Sequence, residues 1–266
     1  MKYFHAILKK IHQLLAGQCG LDPLRLVRAV QRLPRFCLDL HRFRKSYTGE
    51  LTLMPCLHDC HEEAGITQSE YFWQDLLVAR WIFEAQPMKH VDIGSRIDGF
   101  VAHVASYREI EVLDVRPIRK SIPGVVFKQM DLMQPITMTS MKKDYCDSLS
   151  CLHALEHFGL GRYGDQIDPQ GYEKGIANMA LLLQPGGKFY LSTPIGKERV
   201  AFNANWVFDP RTIIKVAKAN ALDLSALIVF YPSLGVQESC LDEATLKALA
   251  LKPYNLGIFV FVKRNT

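Results

Sequence analysis

Apolar residues change their spacing along this chain in a way that separates two regions. In the first, Phe4, Ile7, Leu8, Ile11, Leu14 and Leu15 recur three or four apart, the period of a helix with one apolar face. Farther on, Arg25, Arg28, Arg32 and Arg35 keep that period beside Leu24, Leu26, Val27 and Leu33. Asp22-Pro23 has the form of a helix start, a capping acid followed by proline. Together these patterns predict two or three short helices. From residue 70 the period alternates. Helices are expected at 71–83, 97–106, 171–183, 209–220 and 242–250. Short β-branched or aromatic runs predict seven strands, at 89–93, 110–114, 125–128, 145–151, 187–193, 224–231 and 256–263. Strands that alternate with helices indicate a mostly parallel sheet covered on both faces. The last two strands flank a long excursion and are expected to pair antiparallel at the sheet edge.

Charge divides the chain at the same place. The 266 residues carry a net charge of +5, yet residues 1–49 hold ten Lys/Arg against two Asp, leaving the remainder mildly acidic. Residues 1–65 therefore read as a basic helical extension and 66–266 as one domain, with the boundary in 55–65. An acidic domain argues against a nucleic-acid partner. A basic amphipathic extension is expected to touch an anionic membrane surface through residues 1–45. Seven scattered cysteines suit reduced thiols and a cytoplasmic setting, peripheral at the inner membrane face. The start of the chain lacks a signal-peptide layout, because Lys9-Lys10 interrupts the apolar run.

The polar residues that punctuate the strands carry the chemistry. Asp92-x-Gly94-Ser95 closes the first strand, where glycine lets the backbone turn tightly and approach a ligand. Asp114 ends the second strand at the position from which an acid reaches both ribose hydroxyls. Asp131-Leu132 follows the third strand, and Gln184-Pro-Gly-Gly187 precedes the fifth. A dinucleotide site wants G-x-G-x-x-G, and here its later glycine positions hold Arg96 and Asp98. An acid at Asp92 favours the ammonium and sulfonium of S-adenosylmethionine, and Asp131 and the Pro-Gly-Gly run resemble their counterparts in methyltransferases, so Asp92, Gly94, Ser95, Asp114, Asp131 and Leu132 are expected to bind that cofactor.

A dense loop after the fourth strand, His153-Ala-Leu-Glu-His157, holds the expected proton acceptor, with His153, Glu156 and His157 as candidates. The same letters match H-x-x-E-H, which on a true helix would bind zinc for hydrolysis. No metal is expected, because the run follows a strand directly and enters a glycine-rich turn. Arg162, Tyr163, Asp165 and, beyond the fifth strand, Asn203 are expected to contact a small or glycan-type acceptor. Cys56-x-His58-x-Cys60-His61 lacks two spaced ligand pairs and reads as a boundary loop.

These residues resemble a family catalogued as domain of unknown function 268. The resemblance runs through Tyr71-Phe72-Trp73-Gln74-Asp75, His90 to Arg96, Asp147 to Asp165, Ser192-Thr-Pro-Ile-Gly196 and Phe202-Asn203-Ala204, or roughly residues 50–210. It implies a Rossmann-like, class I methyltransferase-like α/β fold and supplies no substrate. Where that family has Asn-Ala-His-Arg, this chain has Asn203-Ala204-Asn205-Trp206, so no role of that His or Arg carries over. The expected activity is methyl transfer from S-adenosylmethionine to a hydroxyl. The alternatives are a catalytically silent nucleotide- or glycan-binding module and, behind it, a zinc hydrolase.

Overall fold

The computed structural model describes residues 20, 22–57, 64–65, 67–136 and 141–265. Two compact units divide the chain, Met1–Ile66 and Thr67–Thr266. In the first, α1 (Pro23–Arg44) opens with Asp22 Oδ1 accepting the Arg25 N–H at 3.1 Å and closes with His41, Arg42 and Arg44 against the carbonyl end of the helix dipole. Pro23–Arg44 is one helix of 22 residues, running through Pro34 despite its missing N–H. The helical pattern from Phe4 to Leu15, and His58, Cys60 and His61 of the cysteine-histidine cluster, lie outside the described residues. Among the described residues, no helix is long and apolar enough to cross a membrane.

The second unit begins with α2 (Glu70–Ala85). Ser69 Oγ caps it by accepting the Tyr71 N–H, and Gln86 ends it in a left-handed conformation with its N–H on Ile82 O. Next come β1 (His90–Ile93), a π-helical turn (Ile97–Val101), the short helix α3 (Ala102–Ala105), β2 (Ile110–Asp114), β3 (Val125–Gln129) and β4 (Cys146–Leu152). After a 3-10 turn (Leu155–His157) the chain forms α4 (Gly171–Leu182), β5 (Leu183–Ile195), β6 (Arg199–Ala201), β7 (Asn205–Val207) and α5 (Pro210–Ala219). It ends with β8 (Leu222–Tyr231), β9 (Gly235–Glu238), α6 (Glu243–Ala250) and β10 (Asn255–Lys263).

Eight strands form one sheet in the order β3-β2-β1-β4-β5-β10-β8-β9. The first five are parallel, and β10 runs antiparallel to both β5 and β8. This is a Rossmann-like α/β fold. Adjacent residues of one strand enter opposite cores, as a doubly covered sheet requires. Leu113, Leu149, Leu191 and Phe259 pack with Ile176 of α4, Ile213 of α5 and Leu246 of α6. Val112, Tyr190 and Ile258 pack on the other face with Val78 and Ile82 of α2 and Val104 of α3.

Three expectations need correction. The late pair, β8 and β10, does run antiparallel, but β9 takes the edge and β10 lies inside the sheet. The Pro-Gly-Gly run lies within β5, where the pairing with β4 shifts register between Cys146 and Ser148. The helix expected at 97–106 begins as a π turn around a non-helical Gly99 (φ −126°, ψ −108°), where a Cβ would lie 2.5 Å from Asp75 Oδ2.

Leu149, wholly buried at the centre of β4, reports on this packing. Leu149→Ala should lower unfolding stability by about 2–5 kcal/mol, read from a urea midpoint with unchanged slope. A loss below about 1 kcal/mol would contradict a close-packed layer at that strand.

Candidate functional site

A cavity of about 520 Å³ opens where β1, β2, β3 and β4 end, at the point where the chain leaves β1 toward one sheet edge and β4 toward the other. Gly94 forms its inner turn with φ +69°, and its N–H donates to Leu113 O at 2.9 Å. A side chain there would meet Ala154 at 3.0 Å, so the close approach requires glycine.

Asp92 does not reach the cavity wall. Its carboxylate is wholly buried and accepts Ser95 N–H at 3.0 Å, Ser95 Oγ–H at 2.6 Å and Ser150 Oγ–H at 2.6 Å. Ser95 Oγ in turn accepts the Leu152 N–H at 3.1 Å. Burial pushes the Asp92 pKa up to about 7, against the three donors that favour its charge. Its role here is to tie the first loop to β4, while Ser95 itself lines the cavity. His90 completes the tie, with Nδ1 2.8 Å from Ser148 Oγ and Nε2 3.1 Å from Ser150 Oγ. Because the Ser150 hydroxyl hydrogen goes to Asp92, His90 must donate from Nε2. Burial lowers its pKa to about 3 and keeps the ring neutral.

Asp114 lines the cavity as expected, but it is already engaged. Oδ1 accepts Arg116 N–H at 2.8 Å and Nε–H at 3.0 Å, and Oδ2 accepts Nη2–H at 2.6 Å. The same Nη2 donates to Gly94 O at 3.2 Å, and the guanidinium carbon stands 4.6 Å from the centre of the Tyr163 ring. Arg116 therefore bridges the wall from Asp114 to the dense loop, a contact that sequence spacing did not reveal. Asp131 and Leu132 also line the cavity, and Asp131 Oδ1 caps the loop by accepting the Met133 N–H at 2.9 Å.

The three candidate proton acceptors separate sharply. His153 has a strained φ of +50°, and its N–H is shared between Ser192 O and Ser192 Oγ. Its Nδ1 donates to Glu156 Oε1 at 2.6 Å, Nε2 stands 3.3 Å from Glu70 Oε1 out of line for a good bond, and Tyr71 stacks on the ring at 4.4 Å. Burial pulls the imidazole pKa down, but Glu156 and Glu70 outweigh it and raise the value to about 9. His153 is an imidazolium at neutral pH, so it is not the resting base. Glu156 is buried behind it, off the cavity wall, and serves as its partner. His157 lines the cavity, and its Nδ1 lies 2.8 Å from Ala204 O. A carbonyl can only accept, so the shorter contact puts the proton on Nδ1, and Nε2 keeps its lone pair with Arg162 Nη1 3.5 Å away. Burial, aided by the Arg162 charge, lowers its pKa and leaves it neutral.

Arg162, Tyr163 and Asp165 line the cavity, whereas Asn203 sits exposed in the β6–β7 turn, off the wall. Arg162 Nη1 donates to Ala204 O at 2.8 Å, and Asp165 holds the loop by accepting the N–H groups of Tyr163 and Gly161. The zinc alternative needs His153 and His157 on one helix face, but Leu155–His157 is a single 3-10 turn. Sequence reading missed Glu70, Tyr71 and Arg116. The two former come from α2, more than eighty residues before His153, and had no local signal beyond the capping Ser69.

The His153 pKa generates a pH test. Its folded value is raised above the unfolded value of about 6.5, so its stabilisation is complete below pH ~6.5 and lost as pH rises through about 9. Thermal unfolding of the wild type should show that loss, and Glu156→Gln should flatten this part of the profile. Coincident profiles would contradict the ion-paired imidazolium.

No curated protein matches this sequence. Among solved structures, Burkholderia thailandensis 1,6-didemethyltoxoflavin-N1-methyltransferase is 14% identical with a TM-score of 0.47, covering 82% of this chain and 94% of its own. The N-methyltransferase NodS from Bradyrhizobium japonicum WM9 is 15% identical with a TM-score of 0.47, covering 72% of this chain and 95% of its own. The fold assignment rests on the strand order, not on these scores. A family model matches residues 101–217, so the similarities at Tyr71–Asp75 and His90–Arg96 lie outside the matched segment. Over residues 101–217, the chain is similar to the family described as Caenorhabditis protein of unknown function, DUF268.

Proposed function

We propose that this protein is an S-adenosylmethionine-dependent methyltransferase acting on a hydroxyl of a small or glycan-type acceptor. The observation that carries this reading is the order of cavity residues: Gly94, Asp114 and Asp131-Leu132 stand at the ends of β1, β2 and β3 around one cavity at the switch point. The cofactor, when bound, supplies an activated methyl group on a sulfonium. Gly94 allows the backbone to approach it, Asp114 accepts from the ribose, and Asp131 and Leu132 border the purine. His157 Nε2 accepts the acceptor's proton, while Arg162, Tyr163 and Asp165 position the acceptor beside it. Positioning of the two reactants supplies most of the acceleration. Free thiols at Cys37, Cys56, Cys146, Cys151 and Cys240 support a reducing, cytoplasmic setting.

Asp114 qualifies the fit. An ionised carboxylate has about four lone-pair positions, and Arg116 fills three of those on Asp114. A ribose diol can be accepted in full only if Arg116 withdraws. This clasp also supports the second reading, a catalytically silent nucleotide- or glycan-binding module.

Calorimetry with S-adenosylhomocysteine tests the proposal. Binding is expected, weakened by ~1.5–3 kcal/mol in Asp114→Ala, the range for a hydrogen bond to a charged group. Arg116→Ala should bind more tightly than wild type, because it frees the carboxylate. Absence of heat in a folded sample at millimolar ligand would sink the cofactor assignment. Unchanged affinity in Asp114→Ala would remove that residue from the site. Binding with no methyl transfer to any hydroxylated acceptor would favour the silent module.

A further inference from the structure

The cavity chemistry makes no use of the helix α1. At about 100° per residue, Leu26, Val27, Val30, Leu33 and Leu38 fall within roughly 140° of its circumference. All five are exposed, Leu26 by 67%, Val30 by 58% and Leu38 by 55%. Arg25, Arg28, Arg32, Arg35 and Arg42 occupy an arc of about 100° on the other side. The helix carries six arginines and a single acid, Asp39, which pairs with Arg35 at 3.0 Å and with Arg42 at 3.8 Å. Asp39 and Phe43 interrupt the cationic arc and Arg44 falls within the apolar one, so the two faces separate cleanly over residues 25–38, and that separation has a specific physical meaning.

We propose that α1 is a membrane-surface anchor that lies in the interface of a bilayer rich in anionic lipid. The exposed leucines and valines enter the acyl boundary, and the arginines reach the headgroup phosphates and carboxylates. Charge complementarity selects this occupant. A nucleic acid would use the arginines and leave the apolar arc in water. A second copy pairing as a coiled coil would use a narrow seam sustained over three or more heptads. Here the apolar arc is wider than such a seam, and Pro34 interrupts the hydrogen-bond ladder. The anchor is independent of the methyltransferase reading, because it rests on α1 alone.

The test is co-sedimentation of the full chain with phosphatidylcholine vesicles, with and without phosphatidylserine, at low and high salt. The proposal expects binding only with phosphatidylserine, weakening as salt shortens the Debye length. Arg28→Gln with Arg35→Gln should reduce partitioning on the order of 25-fold, since each near-surface charge contributes about fivefold. Val30→Asp with Leu33→Asp should abolish it. Unchanged helix content by circular dichroism shows that α1 has formed in a variant, and Val30→Ala with Leu33→Ala, a milder pair, should weaken binding if the aspartate pair unfolds the helix. Wild type left in the supernatant at low salt overturns the proposal. So does equal binding to neutral vesicles, or binding that survives the loss of the apolar side chains. Light scattering that shows a dimer dispersed by the aspartate pair, with no vesicle binding, would assign the face to a second copy.

Discussion

A buried carboxylate at the split in the sheet underlies the rest of the structure. β1 and β4 are neighbours whose following segments depart to opposite sides, and the cavity exists because nothing fills the space between them. Asp92 spans that divergence. It holds the Ser95 backbone and hydroxyl on one side and the Ser150 hydroxyl on the other, and Ser95 returns a bond from Leu152. A buried acid is tolerated only when its lone pairs are satisfied, and here the satisfaction is what fixes the cavity's inner edge.

Above that frame, two histidines four residues apart acquire opposite properties from their partners. His153 turns inward between Glu156 and Glu70 and is held charged. His157 faces a backbone carbonyl and a guanidinium and is held neutral. A charged and a neutral imidazole thus stand on the wall of one cavity. Arg116 also stands on the cavity wall, joining Asp114 to Tyr163, whose ring lies 5.5 Å from that of His157.

Much of the fold was legible because the strands that matter are buried on both faces. The apolar runs at β1 and β2 could hardly be anything else, and their endings marked Gly94 and Asp114, while Asp131 was marked by the end of the half-buried β3. β9, at Gly235–Glu238, is short, polar and partly exposed, so periodicity had nothing to detect. The direction of Asp92 was recoverable in principle. His90 and Asp92 share a strand face, Ser148 and Ser150 are their partners in register, and four polar groups on an otherwise apolar face must bind one another. The support of His153 was not recoverable, because Glu70 and Tyr71 reach it only through the packing of α2 against the sheet. Asn203 was misplaced for the opposite reason: it was read from its distance along the chain, whereas the hairpin that carries it contributes a carbonyl, Ala204 O, to the loop.

The account's central claim is that the cavity at the switch point is built for a nucleoside cofactor. A structure of the protein with S-adenosylhomocysteine bound tests it most directly. The account predicts the ribose hydroxyls on Asp114 with Arg116 turned away, the purine beside Asp131 and Leu132, and the sulfur facing the side of the cavity that holds His157. A ligand bound elsewhere, or one in this cavity with the Asp114–Arg116 pair intact and no contact to the ribose, would contradict it.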